Sequence, residues 1–137
     1  MTNIAAVENK LSSVRKYIKI LENFKDYSQI EIQNDITVRG AVERYLYLAA
    51  QSIIDLAEAV IAFKGFRKPA TMSESFKILT EEKIITSALA QEMIKLVGFR
   101  NIMAHDYEKI NYDILYDILH NKAGDIESFL KVIQSLN

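Results

Sequence analysis

Apolar residues at Ile4, Val7, Leu11, Val14, Ile18 and Leu21 recur every three or four positions, with Lys10, Arg15, Lys16, Lys19 and Glu22 on the other faces. That period predicts an amphipathic first helix. From Phe24 to Asn34 the pattern is lost, and the stretch reads as a connection with a short turn before Asp35, which can cap a second helix. The second helix, Val38 to about Lys64, carries Val42, Leu46, Ala49, Ile53, Leu56 and Val60 on one stripe and Tyr47, Ala50, Ile54, Ala57 and Ile61 on another. Two apolar stripes need two partners. A rod of about 27 residues, roughly 40 Å long, is either the centre of a bundle or half of a subunit interface.

Gly65 suits a left-handed cap to that helix, and the only proline, Pro69, follows it. Ser73 can cap a short helix through Phe76, Ile78 and Leu79, and Thr86 or Ser87 can start the next. That helix carries Leu89, Met93, Leu96, Val97, Met103 and Ala104 on one face. Gly98, in its interior, costs about 1 kcal/mol relative to alanine, so it marks either a close backbone approach or plain tolerance. After the polar stretch Asp106 to Asn111, the residues Leu115, Ile118, Leu119, Ile126, Phe129, Ile133 and Leu136 mark a last helix, weakened at Gly124. No strand pattern of useful length and no repeat are present. The expected fold is all-α: an antiparallel up-and-down bundle of four main helices plus short pieces, in one domain over residues 1–137.

Composition narrows the chemistry. Half of the 137 residues are hydrophobic, enough for one compact core, and 17 basic against 18 acidic residues leave a net charge of -1. No global field draws such a chain to nucleic acid, so phosphate binding must be local and DNA is not an expected partner. The absence of cysteine excludes thiol chemistry and fits a reducing cytoplasm. The amino terminus, Met1 to Glu8, lacks a basic flank and an unbroken apolar core, and the longest uncharged run, Tyr45 to Ile54, is too short for a bilayer. A cytoplasmic protein with no membrane contact is expected.

Residues 100 to 107, Arg-Asn-Ile-Met-Ala-His-Asp-Tyr, are the most informative stretch. Arg100 falls on the apolar stripe of its helix, where an unpaired charge costs several kcal/mol, roughly. Either a carboxylate neutralises it or the stripe opens there into a polar cleft. In the structural reading His105 bonds the last free carbonyls of its helix and Tyr107 folds over the next loop, its ring partly buried and its hydroxyl wet. In the functional reading the set serves metal-free RNA cleavage, which calls for no cofactor: the ribose 2′-hydroxyl attacks the adjacent phosphate, His105 moves the proton, and Arg100 holds the developing charge. Asn101, in line with Ile94, Val97 and Ala104, can orient either side chain or bridge two helices. Five residues of helix turn through about 500°, leaving Arg100 and His105 roughly 140° apart. Either the helix loosens at His105 or a second chain supplies the other half, so a homodimer with the octets facing one groove is expected.

The octet resembles the Arg-x-x-x-x-His-x-Tyr signature of HEPN ribonucleases, most closely the HepT branch of toxin-antitoxin pairs. Arg-Gly-Ala-Val-Glu-Arg-Tyr at 39 to 45, Ile54-Asp55, Pro69 and Gly98-Phe99-Arg100-Asn101 extend the likeness over most of the chain. The resemblance implies a toxin of a type VII-like pair, in which Arg100 and His105 form a metal-independent endoribonuclease site in a dimer groove and the substrate is cellular RNA. It implies further that Tyr107 accepts adenylyl groups from a nucleotidyltransferase antitoxin, and that Glu43 is a partner for Arg100. Otherwise Arg39 and Glu43, four apart, form a surface pair. Asp55 is expected to bond a neighbouring helix, and His120 to lie on the surface. The alternative function is a non-catalytic helical module that binds a nucleotidyltransferase partner or a nucleotide, with the octet as its docking surface.

Overall fold

The computed structural model describes residues 4–136; Met1, Thr2 and Asn3, part of the stretch read for a leader, and Asn137 lie outside it. Seven helices and a short 3-10 turn make up the described chain: α1 (Ile4–Glu22), α2 (Gln29–Asn34), α3 (Ile36–Lys64), α4 (Met72–Glu81), α5 (Ser87–His105), the 3-10 turn (Tyr107–Lys109), α6 (Tyr112–Asn121) and α7 (Ala123–Gln134). No strand occurs among the described residues. The all-helical bundle expected from the period is the architecture found.

Helix α3 is its centre. Both apolar stripes are buried, apart from the half-buried Tyr47, because α1, α2, α4 and α5 all pack against this one helix. Its length and composition would let it cross a bilayer, but just over half of its most apolar stretch is covered by the rest of the chain, as in a core helix. Asp35 caps it as expected, accepting from the backbone N–H groups of Thr37 and Val38 at 3.1 and 3.2 Å. Gly65 ends it at φ 71°, with the Phe66 N–H reaching back to the Ile61 carbonyl at 3.0 Å.

Three local expectations need correction, and one open choice, at Gly98, is decided. The Phe24 to Asn34 connection contains α2, six residues long, held by a capping box in which Ser28 accepts from the Glu31 N–H and the Glu31 carboxylate accepts from the Ser28 N–H. Six residues cannot display a 3.6-residue period, and the Ser-x-x-Glu signature was the only signal. The cap of α4 is Thr71, two residues ahead of Ser73, accepting from the Glu74 N–H at 3.1 Å. The last helix is two helices, broken at Lys122 rather than weakened at Gly124, which lies inside α7. At Gly98 an added Cβ would meet nothing within 4 Å, so no element approaches closely and the glycine is simply tolerated.

The core is closed by α4 and α7, whose Phe76 and Phe129 rings meet edge to face at 5.8 Å. His120 is half-buried rather than on the surface. Its ring stacks on Tyr116 at 3.9 Å, and its nitrogens lie 3.1 Å from the Tyr116 carbonyl oxygen and 2.6 Å from that of Lys25, joining α6 to the end of α1. Among the backbone positions, Gly65 has the clearest stability signature, because a left-handed conformation costs an L-residue about 1 kcal/mol or more. Gly65→Ala should lower stability by about that amount, seen as an earlier denaturant midpoint with an unchanged slope.

Candidate active site

Helix α5 is buried through Ala90, Met93, Leu96, Val97 and Phe99, and then emerges: Asn101, Ile102, Ala104 and His105 are all exposed. Arg100 stands at this exit, half-buried. Its environment decides between the two outcomes its position allowed, in favour of a polar cleft. The Arg100 Nε donates to Gln51 Oε1 at 2.7 Å, its Nη1 to Asn101 Oδ1 at 3.0 Å and its Nη2 to the Tyr47 hydroxyl at 3.4 Å, while the guanidinium lies 5.5 Å from the Tyr47 ring centroid. All three partners are neutral. The guanidinium is therefore oriented by hydrogen bonds and a ring face without being neutralised.

Gln51 is held in turn. Its amide nitrogen donates to Asp55 at 2.9 Å, and Asp55 faces Lys10 of α1 at 3.6 Å, the neighbouring-helix contact expected of it. Both ends of the Gln51 amide are thus occupied, which fixes its oxygen toward Arg100. Neither Gln51 nor Tyr47 was singled out from the sequence. The signal was nevertheless present, since Glu43, Tyr47, Gln51, Asp55 and Glu58 step by four, four, four and three along α3, one polar line on an otherwise apolar helix.

Helix α5 does not loosen at its end. It remains helical through His105, and the Asp106 N–H closes the last turn onto the Ile102 carbonyl at 2.8 Å. His105 makes no carbonyl cap; its ring is exposed and without a hydrogen-bond partner among the described residues. Arg100, Asn101 and His105 nevertheless border one open groove of about 450 Å³, closed on its far side by Glu58 and the Pro69 to Ser73 segment. The length of the arginine side chain lets two positions far apart around the axis flank the same opening. Burial, helped by the charge of Asp55, raises the Glu58 carboxyl above its ordinary range.

Tyr107 reverses the structural expectation. The residue is 54% exposed and its hydroxyl is turned inward, donating to Glu43 Oε1. Tyr112 Oη donates to Glu43 Oε2 at 2.7 Å. Glu43 itself is only 4% exposed, so it is neither half of a surface pair with Arg39 nor, within one chain, the partner of Arg100. Arg39 instead donates to the Gln33 carbonyl at 3.1 Å. The hydrogen bond to Glu43, followed by burial, holds the Tyr107 hydroxyl above its usual pKa; burial first and the same carboxylate second push Tyr112 up to about 12. A second open groove, about 430 Å³, runs past Glu43, Arg44, Tyr47, Met103 and Tyr107. The described residues bring no three His, Asp or Glu side chains together as metal ligands.

Residues 14–133 match the family model described as ribonuclease HepT-like. The chain belongs to that family. Among curated relatives it is 30% identical over 128 residues to the mRNA nuclease HepT of Shewanella oneidensis, covering 93% of this chain and 95% of the relative. To the tRNA nuclease HepT of Aphanizomenon flos-aquae it is 29% identical over 113 residues, 81% of this chain and 77% of that one. The tri-AMPylated Shewanella oneidensis HEPN toxin, solved in complex with its MNT antitoxin, superposes with a TM-score of 0.87 at 29% identity, covering 99% of this chain and all of that one. A toxin-antitoxin solved with AMP-PNP also gives 0.87, at 28% identity over 96% of this chain. The HepT-like resemblance read from the octet is thus the family found.

The Glu43 cluster has a signature in alkali. Tyr112 keeps its proton in the folded chain over a range where the unfolded chain has lost it. Its contribution to stability is therefore complete below pH 10 and disappears as pH rises toward about 12. A spectroscopic titration of phenolate should show one tyrosine ionising near 12, absent in Tyr112→Phe, with alkaline unfolding of the parent protein across the same interval.

Proposed function

We propose that this chain is the toxin of a type VII-like toxin-antitoxin pair: a cytoplasmic, metal-independent endoribonuclease of one domain that acts as a homodimer. Adenylylation of Tyr107 by a nucleotidyltransferase antitoxin silences it. The observation that carries the reading is an oriented but uncompensated guanidinium, Arg100, beside a free imidazole, His105, on one groove. A phosphodiester supplies the negative charge that Arg100 lacks.

In this mechanism the ribose 2′-oxygen attacks phosphorus, the bond to the 5′-oxygen breaks, and a cyclic phosphate forms with no metal or cofactor. His105 transfers the proton and Arg100 stabilises the charge on the non-bridging oxygens. Asn101 holds one edge of the guanidinium. A single groove offers one imidazole, whereas the reaction needs both an acceptor and a donor of a proton, so a second copy facing the first supplies the missing group. Glu43 supports the site through Tyr107 rather than through Arg100. The relatives named as mRNA and tRNA nucleases, and the AMPylated toxin solved with its antitoxin, support this reading.

Purified protein should cut RNA in the presence of EDTA. Arg100→Ala and His105→Ala should each reduce the rate by about 100-fold or more with helicity unchanged. Cleavage undiminished in both variants refutes the nuclease site, and loss of antitoxin affinity without any cleavage by the parent would favour a docking module. A sedimentation monomer at micromolar concentration that still cleaves RNA would refute the paired groove.

A further inference from the structure

Tyr107 is an exposed residue whose hydroxyl is turned inward onto Glu43 at the edge of an open groove. A phenol at a surface ordinarily leaves its hydroxyl in water; this one instead meets a carboxylate that is itself almost wholly buried. The carboxylate is anchored by Tyr112, which occupies its other oxygen at 2.7 Å and leaves Oε1 aimed at Tyr107. Glu43 therefore has one partner inside the fold and one at the surface.

We propose that Glu43 positions the Tyr107 hydroxyl for adenylyl transfer and accepts its proton as the new bond forms, with Tyr112 fixing the carboxylate. The inference rests on the reading of Tyr107 as the acceptor. In the step, a lone pair of Tyr107 Oη forms a bond to the α-phosphorus of ATP, the bond from that phosphorus to the bridging oxygen breaks, and pyrophosphate leaves with the electron pair. The phenolic proton passes to Glu43 Oε1, already hydrogen-bonded to it, and from there to solvent.

Two features fit a base at that oxygen. The hydroxyl is held above its ordinary pKa, so phenolate is scarce at neutral pH and the proton must leave as the bond to phosphorus forms. The groove beside it is open, so ATP held by a partner enzyme can reach the oxygen without the fold moving. The charged groups facing this oxygen are Glu43 and, with an opposing influence, Arg39; Arg44 borders the same groove. Once Tyr107 is esterified it has no proton to donate. Its new phosphodiester is then repelled by the regenerated carboxylate, which turns the modified side chain out of its contact with Glu43.

The test mixes the full-length protein with its cognate nucleotidyltransferase and ATP and follows AMP addition by mass spectrometry across pH. Tyr107→Phe should gain no mass. Glu43→Gln should be modified about 100-fold more slowly at neutral pH and recover as alkali generates phenolate directly, a change in pH profile that a merely structural role would not produce. Glu43→Asp keeps the charge but withdraws it by one methylene, so about a 10-fold loss is expected, and it serves as the informative variant should Glu43→Gln fail to fold. Wild-type protein gaining mass on Tyr107, with both Glu43 variants matching its rate and pH profile, overturns this inference alone. Wild-type protein gaining no mass on Tyr107 overturns the acceptor reading and this inference with it.

Discussion

A helix covered on two sides has few positions left from which a polar side chain can reach its neighbours, and the arrangement of the site follows from that constraint. Helix α3 spends both apolar stripes on the core, so Glu43, Tyr47, Gln51, Asp55 and Glu58 fall in a single file along its length. Helix α5 meets that file at its exposed end. The long-range polar contacts of the octet, Gln51 and Tyr47 on Arg100 and Glu43 on Tyr107, all run from this file to the end of α5 and the turn after it. The core thus shapes the geometry of the site, because the packed faces of α3 leave this file free to make hydrogen bonds to α5.

The consequence for Arg100 is a question of which charge is missing. Pairing it with a buried carboxylate would have stabilised the resting protein and raised the cost of binding a phosphate, since the phosphate would first displace an anion. Neutral partners orient the guanidinium while leaving its attraction unspent. Asp55, the next residue of the file after Gln51, is turned instead toward the Gln51 amide and Lys10. A chain with net charge -1 lacks a general attraction for RNA, and a locally uncompensated arginine is how such a chain can still bind a phosphodiester at one place.

Much of this was legible in the residues, for physical reasons. Long helices repeat their period often enough to be read, so α1, α3 and the buried part of α5 follow from spacing, and Asp35, Gly65 and Thr86 stand at caps where their chemistry places them. Short elements escape: α2 is shorter than two turns, and the break at Lys122 replaces a helix whose apolar positions continue in register on both sides. Site residues were legible where a family motif carries them, and less so where a partner is set by tertiary packing. Glu43 was noticed, but its partners were not, because Tyr112 lies 69 residues away in sequence. His120 was misplaced for the same reason, its contact with the Lys25 carbonyl being invisible to any local pattern.

The two grooves flank the end of α5 on neighbouring faces, with the Arg100 to Tyr47 contact as the wall between them. This arrangement limits how the proposed modification of Tyr107 could silence the proposed nuclease site. An adenylyl phosphate on Tyr107 would begin in the groove that Glu43 and Arg44 line and His105 does not, and at physiological salt its field decays over about 8 Å. Long-range repulsion of RNA is accordingly a weak explanation. Occlusion is stronger: a nucleotide extending from Tyr107 past Tyr47 would put its bulk at the mouth of the Arg100 groove. Inhibition by this route needs no change of fold, only a nucleotide tethered close enough to block the way to the Arg100 groove.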